Sequence, residues 1–306
     1  MSPASLSRRR QGLLMTGGGA LIISPDALLI KVIGLPDAEI LVWRGLLTAL
    51  GFIAIVFARH GRGAFGAYRR CGWTGLGVAL LFSLSTFGFV LGNQYTRGGN
   101  VLMILAGAPL IAALLSRFFL QERLPRRTWL AIGACLAGIS LIALDDAGAG
   151  SWVGNGFALL AATALAANFT LCRTRPGVDM SPMLTLAGLI VAVSAGLYGL
   201  AGPGVALPSG QSLLWLLVLC LLLLPLGFTL IQRGPLYLPA AEVGLLMLLE
   251  VVAGTLWVWW LLAERPTPLA FAGGALVLGS LLAKGLVERR LERRLREAPV
   301  ASRKSW

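Results

Sequence analysis

The sequence predicts an all-α integral membrane protein of ten transmembrane helices, arranged as two inverted five-helix repeats with both termini in the cytoplasm. Three observations lead to this fold class: an apolar composition, a succession of long apolar runs and an internal repeat. The 306 residues are 57% hydrophobic and only 13% charged, whereas about a quarter of the residues of a soluble domain are charged. Membrane β-strands are excluded, because they are about 10 residues long and alternate in polarity.

Apolar runs follow one another along almost the whole chain. A helix of about 20 residues crosses the hydrocarbon core of roughly 30 Å, and each run has about this length. Residues that form turns, such as Gly34, Pro36 and Gly177, lie between the runs. The predicted spans are 11–33, 37–58, 73–93, 99–118, 127–144, 152–172, 182–203, 212–231, 238–262 and 267–286.

An internal repeat relates two stretches of the chain, 114–138 and 256–279. They read LLSRFFLQERLPRRTWLAIGACLAG and LWVWWLLAERPTPLAFAGGALVLG. Both contain an E-R-(x)-P element, which consists of Glu122, Arg123 and Pro125 in the first copy and of Glu264, Arg265 and Pro266 in the second. Because each copy has an odd number of spans, the second copy is turned over in the membrane, as in many transporters.

The repeat divides the chain into four parts. They are a cytoplasmic segment 1–10, a first repeat 11–146, a second repeat 147–286 and a basic cytoplasmic tail 287–306. Nearly all of the 26 Lys and Arg fall on the side that holds the termini, and only Lys31, Arg97 and Arg265 fall on the other. Positive residues stay in the cytoplasm, so we interpret the net charge of +13 as a topology signal and expect no binding of nucleic acid.

These features resemble the drug/metabolite transporter superfamily, in particular its EamA type, over residues 11–286. Further matching pieces are WRGLLTAL at 43–50, Pro109 in span four and the LLE that precedes Val251 in span nine. Relatives usually carry proline where Val251 stands, so we expect a straighter helix here. The segment SPDALLIKVIGLPDAEILVWRG looks most like the bacterial aromatic amino acid exporters of the YddG group.

The resemblance implies a transporter of the bacterial inner membrane that exports aromatic amino acids by alternating access. It implies a central cavity lined by spans one, three, four, six, eight and nine, with small molecules and membrane lipids as partners. Neither a cofactor nor a metal is expected. A monomer is sufficient for such a carrier, and a homodimer stays open.

Four ionisable residues lie inside predicted spans, where charge is costly unless it faces a cavity or a partner. Asp26 and Arg44 both lie in outer halves of spans, so they form either an ion pair between helices or a contact to substrate. Glu250, near the middle of span nine, is expected to face a cavity or a packing interface. Glu242, near the inner end of that span, matches Asn100 across the repeat, so each is either a gate residue or a helix cap.

A second set of candidates would surround an aromatic substrate. Phe82, Ser85, Thr86 and Phe89 share one face of span three at helical spacing. Such residues either line a pocket or pack helices together. The other cavity candidates are Asn100, Met103, Gly107, Asn168, Phe228 and Gln232. The three amides are expected to bind the polar ends of the substrate, and no full counter-charge is evident at the centre.

The sequence supports other classes of function less well than it supports a carrier. It contains no HExxH, GxSxG or glycine-rich phosphate loop, and no nucleotide-binding domain of a pump. A channel would show rings of charge or a filter loop, which are absent. A carrier for other amino acids or drugs and, from a different class, a membrane-embedded enzyme or assembly factor remain as alternatives.

Overall fold

Helices make up nearly all of the described chain. The computed structural model describes residues 3–119, 121, 126–145, 152–175, 177–202, 204–238, 240–263 and 267–297. The helices are α1 Pro3–Ile23, α2 Asp26–Ile33, α3 Asp37–His60, α4 Ala64–Tyr95, α5 Gly98–Leu105, α6 Ala108–Phe119, α7 Arg126–Asp145, α8 Trp152–Arg173, α9 Met183–Ala201, α10 Gly210–Leu217, α11 Leu224–Arg233, α12 Ala240–Leu262 and α13 Pro268–Glu297. No strand occurs in these ranges, which confirms the all-α prediction.

Each predicted span coincides with one helix or with two consecutive helices. Six helical runs of the described chain are long and apolar enough to cross a membrane, and one of them, Asp37–Tyr95, contains both α3 and α4. Shorter apolar helices cover Thr128–Ile142, Leu246–Leu262 and Pro268–Ala283. The chain is therefore a multi-pass membrane protein.

The sequence between the second and third spans, which we predicted to be a loop, is largely helical. Residues 64–71 form the first part of α4, and Gly72 separates them from the rest of that helix with φ 55° and ψ −154°. A side chain at this left-handed φ is unfavourable, which explains the glycine. The kink lets the short first part leave the axis of the longer part.

Prolines break two helices of the first repeat. Pro25 separates α1 from α2, and Pro109 follows the break between α5 and α6, because proline cannot donate a backbone hydrogen bond and clashes with the preceding turn. In the second repeat Val251 occupies the position that matches Pro109, and α12 runs through it without interruption. The helix is thus continuous at Val251, and a straighter helix than in relatives stays a prediction.

The eighth span contains a π-helical segment, 218–223, between α10 and α11. Pro225 follows this segment and packs its ring on Gly51 of α3. Since Pro225 has no N–H for the preceding turn, the wider π-helical turn absorbs the irregularity.

Two residues other than glycine adopt a positive φ in the described chain, and they occupy equivalent positions in the repeat. Gln121 and Ala263 both have φ 54°, and each lies directly before an E-R-(x)-P element. The equivalence extends to packing: Gly92 lies against Ala158, while Gly234, its equivalent, lies against Thr16. The two halves therefore share local conformation and contacts as well as sequence.

Equivalent helices of the two halves run antiparallel where they touch. In the pair α3 and α9, Gly45 contacts Ala192 and Gly188 contacts Ala49, an order that only opposite directions produce. Small residues let the two backbones approach closely, as is common between membrane helices. The pair α7 and α13 has the same geometry, because Gly138 lies against Val277 and Ile142 lies against Gly273.

Some of the predicted motif residues lie outside the described part of the chain. These are Glu122, Arg123, Pro125, Glu264, Arg265 and Pro266, together with the side chain of Glu242.

Candidate functional site

A central cavity of about 50 Å³ lies between helices of both halves. Residues of α2, α3, α4, α5, α8, α9, α11 and α12 form its wall. They are Asp26, Arg44, Gly45, Thr48, Phe52, Phe82, Ser85, Thr86, Phe89, Leu105, Leu165, Leu184, Gly188, Val191, Leu224, Phe228, Met247 and Glu250. A volume of this size admits a few water molecules and is far below the roughly 300 Å³ of a small ligand site.

Asp26 and Arg44 form a buried, bidentate ion pair on one side of this cavity. Arg44 Nη1 donates to Asp26 Oδ1 at 2.6 Å, and Nη2 donates to Oδ2 at 2.7 Å. The break at Pro25 places Asp26 in the first turn of α2, where the helix dipole stabilises a negative charge. The pair joins α2 to α3 and lies in the wall, so the two roles that we considered for these residues are compatible.

Arg44 keeps further capacity to bind an anion. Its Nε is buried and has no hydrogen-bond partner among the described residues. The guanidinium lies 6.0 Å from the ring centroid of Phe89, a distance at which a cation and an aromatic face attract each other. A planar guanidinium with a spare donor suits a carboxylate.

Glu250 contributes a second acid to the cavity. It is 5% exposed, lies in the wall and is close enough to Asp26 for their charges to interact. No hydrogen bond or ion pair to Glu250 occurs within the described ranges. The expectation that no full charge reaches the centre is therefore wrong: one cation and two acids meet there.

Aromatic rings from both halves form the opposite part of the wall. Phe82 of α4 and Phe228 of α11 meet edge to face, with ring centroids 5.0 Å apart and planes at 88°. The neighbouring hydroxyls are used internally, because Ser85 donates to the Ala161 carbonyl at 3.1 Å and Thr86 donates to the Phe82 carbonyl at 3.0 Å. These hydroxyl oxygens still have lone pairs that accept hydrogen bonds.

The apolar wall follows the repeat, whereas the charges do not. Positions 142 residues apart are equivalent before the E-R-(x)-P element, and three such pairs line the cavity: Phe82 with Leu224, Thr86 with Phe228, and Leu105 with Met247. By contrast, Asp26, Arg44 and Glu250 correspond to Asn168, Leu186 and Ala108. The three ionisable positions of the wall therefore have no ionisable equivalent in the other half of the chain.

Two predicted cavity residues instead connect helices. Asn168 Nδ2 donates to the Val78 carbonyl at 2.9 Å, and Gln232 Nε2 donates to Asn168 Oδ1 at 3.3 Å. Both side chains are buried and neither lines the central cavity. They join α4, α8 and α11, because buried amides need partners and the neighbouring helices supply them.

The predicted residues of span four also lie away from the central cavity. Met103 packs its sulfur on Gly274 of α13, and Gly107 faces Cys135 of α7. Asn100 is buried at the start of α5 and is not part of the cavity wall. The break at Pro109 turns this face toward the last helices, and Leu105 is the residue of the span that reaches the cavity.

Spans two and seven, absent from the expected lining, form a substantial part of the wall. Span two contributes Thr48 and Phe52, which follow Arg44 at intervals of four residues. That helical spacing from an intramembrane charge is a sequence signal that could have found them. Span seven contributes Leu184, Gly188 and Val191, for which the apolar sequence gives no comparable signal.

A larger crevice of about 510 Å³ opens at the end of the bundle where α3 begins, which we name the Asp37 end. Its wall contains Asp37, Ala38, Leu41, Phe87, Leu91, Tyr95, Val153, Phe157, Ser194, Ala195 and Tyr198. The Tyr95 hydroxyl donates to Asp37, and its ring stacks on Phe157 with centroids 6.1 Å apart. The crevice separates α4 from α9 at this end.

The opposite end, which we name the Asp179 end, is closed by polar contacts. Asp179 Oδ2 lies 3.2 Å from Arg59 Nη2 and 3.5 Å from Arg233 Nε, so one carboxylate joins the ends of α3 and α11. Tyr68 of α4 also lies 3.0 Å from the Thr185 hydroxyl of α9. Asp179 is the equivalent of Asp37 in the repeat, yet one end is open and the other is held together.

Within the described ranges no group of three or more His, Cys, Asp or Glu residues could hold a metal ion. The arrangement can bind an apolar ring against the contacting pair of Phe82 and Phe228 and charged groups at Arg44 and Glu250.

Comparisons with known proteins give a family and a fold. The model of the EamA-like transporter family matches the chain twice, over residues 10–144 and 152–283. A crystal structure of a protein of no stated activity matches with a TM-score of 0.67 and 20% sequence identity, over 92% of this chain and 98% of that chain. At this identity the likeness concerns the fold alone. No curated protein matches the sequence.

Proposed function

Because this chain belongs to the EamA-like transporter family, we propose that it is a secondary transporter that exports aromatic amino acids across the bacterial inner membrane. The observation that carries the proposal is the composition of the central cavity. Four phenylalanine rings lie in the same wall as one arginine and two acids. A free amino acid with an aromatic side chain offers a matching ring, carboxylate and ammonium.

The polar ends of the substrate would bind on the charged side of the cavity. The carboxylate would accept hydrogen bonds from Arg44, whose Nε has no partner among the described residues, and the ammonium would pair with Glu250. The side chain would pack against the rings of Phe82 and Phe228, where burial contributes about 25 cal/mol per Å² and ring contacts about 0.5–1.5 kcal/mol. The amide side chains that we expected to bind substrate are occupied in packing.

Transport would proceed by alternating access. The cavity of about 50 Å³ is too small for an amino acid, so it would have to widen when the substrate enters. The crevice at the Asp37 end and the ion pairs at the Asp179 end support a state in which the Asp179 end is sealed. Export would require the Asp179 end to open toward the cytoplasm and the Asp37 end to open toward the periplasm.

The proposed topology has ten spans, inverted repeats and cytoplasmic termini. Two features support it. The equivalent helices α3 and α9 run antiparallel, as do α7 and α13. Inverted repeats require this, because inversion reverses the direction of every equivalent helix. The basic residues lie predominantly on the side of the termini, which the positive-inside rule assigns to the cytoplasm.

A counter-flow assay tests the proposed function. Liposomes that contain the purified protein and an excess of unlabelled phenylalanine should take up labelled phenylalanine or tryptophan saturably, and faster than lysine or glutamate. Liposomes without the protein give the background uptake. Equal uptake of all four amino acids contradicts the aromatic assignment, and recovery of chemically altered phenylalanine would favour the alternative of a membrane-embedded enzyme.

Export of amphipathic drugs without a carboxylate is the second candidate function, favoured by the ion pair that already occupies Arg44. Phenethylamine and phenylalanine share the ring and ammonium and differ in the carboxylate. If Arg44 binds the carboxylate, phenylalanine competes better in the counter-flow assay. If Arg44 binds only Asp26, phenethylamine competes at least as well as phenylalanine.

A further inference from the structure

The charges around the central cavity do not balance. Arg44 is bound through two donors by Asp26, at 2.6 and 2.7 Å, so this pair is neutral as a unit. Glu250 lies in the same wall without a hydrogen bond or ion pair to any described residue. A second carboxylate next to Asp26 would leave the cavity with one uncompensated negative charge.

An uncompensated carboxylate is unfavourable at this depth. Glu250 lies within α12 at the middle of a predicted span and is nearly inaccessible. Buried charges in proteins are paired, and an unpaired acid in an apolar site holds a proton instead. The rest of the wall supplies mostly apolar side chains, including Leu105, Met247 and Phe228.

The ionisable groups that face Glu250 are few. Asp26 of α2 lines the same cavity and lies near enough for the two charges to interact, and Arg44 of α3 lines it as well. Beyond Arg44, Cys220 of the π-helical segment interacts with that guanidinium. Among the described residues, α1, α5, α6, α13 and the turn Gly234–Leu236, which also pack against α12, contribute no ionisable side chain to the cavity wall.

We propose that Glu250 is the proton-binding site of the carrier and that it exchanges its proton for the ammonium group of the substrate. The inference rests on the proposed function, because it assigns the coupling ion to the same cavity. The empty site holds a neutral carboxylic acid beside a neutral ion pair. A substrate ammonium supplies the missing positive charge, so the carboxylate becomes favourable once the substrate has bound.

The exchange fixes the stoichiometry and the direction of coupling. When the substrate enters from the cytoplasm, the O–H bond of Glu250 breaks and the proton leaves to the cytoplasm. When the substrate leaves toward the periplasm, the carboxylate takes up a proton from that side. One zwitterion moves out as one proton moves in, so each cycle carries one positive charge inward.

Proton release during binding tests this directly. Phenylalanine is added to purified protein in weakly buffered detergent solution between pH 5 and 8, and protons are counted with a pH indicator. The wild type should release up to one proton per bound phenylalanine. As the pH rises, its apparent dissociation constant for phenylalanine should fall about tenfold per pH unit. Linkage requires this as long as Glu250 of the free protein is protonated. Glu250→Gln should release none and bind with an affinity that does not change with pH.

A matched control uses an acid away from the cavity. Glu39 accepts from the Ala206 backbone N–H at 3.3 Å near the Asp37 end, so Glu39→Gln should release protons as the wild type does. Full proton release by Glu250→Gln would exclude Glu250 as the site. Wild-type counter-flow without proton release would overturn the exchange while the proposed function stands, and absence of counter-flow would contradict the proposed function itself.

A measurement on the wild type alone guards against a variant that fails to fold. Net efflux of phenylalanine from loaded liposomes should be accelerated by an interior-negative potential set with potassium and valinomycin, because positive charge enters as the substrate leaves. This direction holds for either orientation of the protein in the bilayer. An efflux rate that does not change with the membrane potential would contradict the stoichiometry of one proton per substrate.

Discussion

Arg44 binds both carboxylate oxygens of Asp26, at 2.6 and 2.7 Å, in the wall of a cavity that also contains Glu250. The bidentate geometry fixes α2 against α3 directly after the break at Pro25. It also makes Asp26 and Arg44 neutral as a pair, so no cation in the cavity wall is left over for Glu250. The predictions below concern the consequences of this arrangement for stability, selectivity and motion.

Loss of the guanidinium should cost more stability than loss of its partner. Arg44→Met leaves Asp26 buried without its cation, and removal of one member of a buried pair costs about 3–5 kcal/mol. Asp26→Asn leaves Arg44 near Glu250, so its free energy of unfolding should fall less. Thermal unfolding in detergent measures both. Arg59→Met, which disrupts the partly exposed contact to Asp179, serves as the control at about 1 kcal/mol or less; equal effects of all three would refute this account.

The preference for aromatic substrates should depend on the ring pair of Phe82 and Phe228. Replacement of both by alanine removes ring contacts of about 0.5–1.5 kcal/mol, so counter-flow of phenylalanine relative to a small amino acid such as alanine should decrease by roughly 2- to 12-fold. Competition between the two substrates measures the ratio. Phe65→Ala, at an exposed position of the short first part of α4, should leave the ratio unchanged, and an unchanged ratio in the double variant would remove the rings from the site.

The carboxylate of Asp179 should stabilise the closed Asp179 end. Asp179→Asn removes the charge that joins Arg59 to Arg233, so the protein should populate the state open at that end more often. A cysteine introduced at Thr185, in a background without native cysteines, should then react faster with a membrane-impermeant maleimide from the cytoplasmic side.

The equivalent substitution at the other end provides the comparison. Asp37→Asn removes the acceptor of the Tyr95 hydroxyl at the end that is already open, so reactivity at position 185 should not increase. If both substitutions raise the reactivity equally, general loosening of the bundle replaces the gate as the explanation.

Inversion of the repeats predicts labelling from opposite sides. Single cysteines at Arg126 and Thr267, each near the beginning of the last helix of its repeat, should react with an impermeant reagent from the cytoplasm and from the periplasm, respectively. The background carries replacements of Cys71, Cys135, Cys172 and Cys220, which are the four native cysteines. Labelling of both positions from one side would mean that the repeats are parallel.

The sequence by itself determined the helices, the repeat and the cost of burying charge. Runs of apolar residues specify membrane helices, because the bilayer leaves the backbone no other way to satisfy its hydrogen bonds. The valine at 251, where relatives usually carry proline, predicted that span nine continues without a break. Because exposure of a charged side chain to lipid is costly, the sequence predicts that Asp26, Arg44 and Glu250 lie inside the protein.

Only the tertiary structure decided which buried polar residues share the cavity. In a soluble protein the apolar face of a helix marks its core side, but in a membrane both the lipid side and the core side are apolar. Rotation of each helix about its axis is set by packing against its neighbours, here at close contacts such as Gly45 with Ala192. Those contacts turn Asn168 toward the Val78 carbonyl and bring Glu250 to the wall that contains Arg44, which no pattern within a single helix could predict.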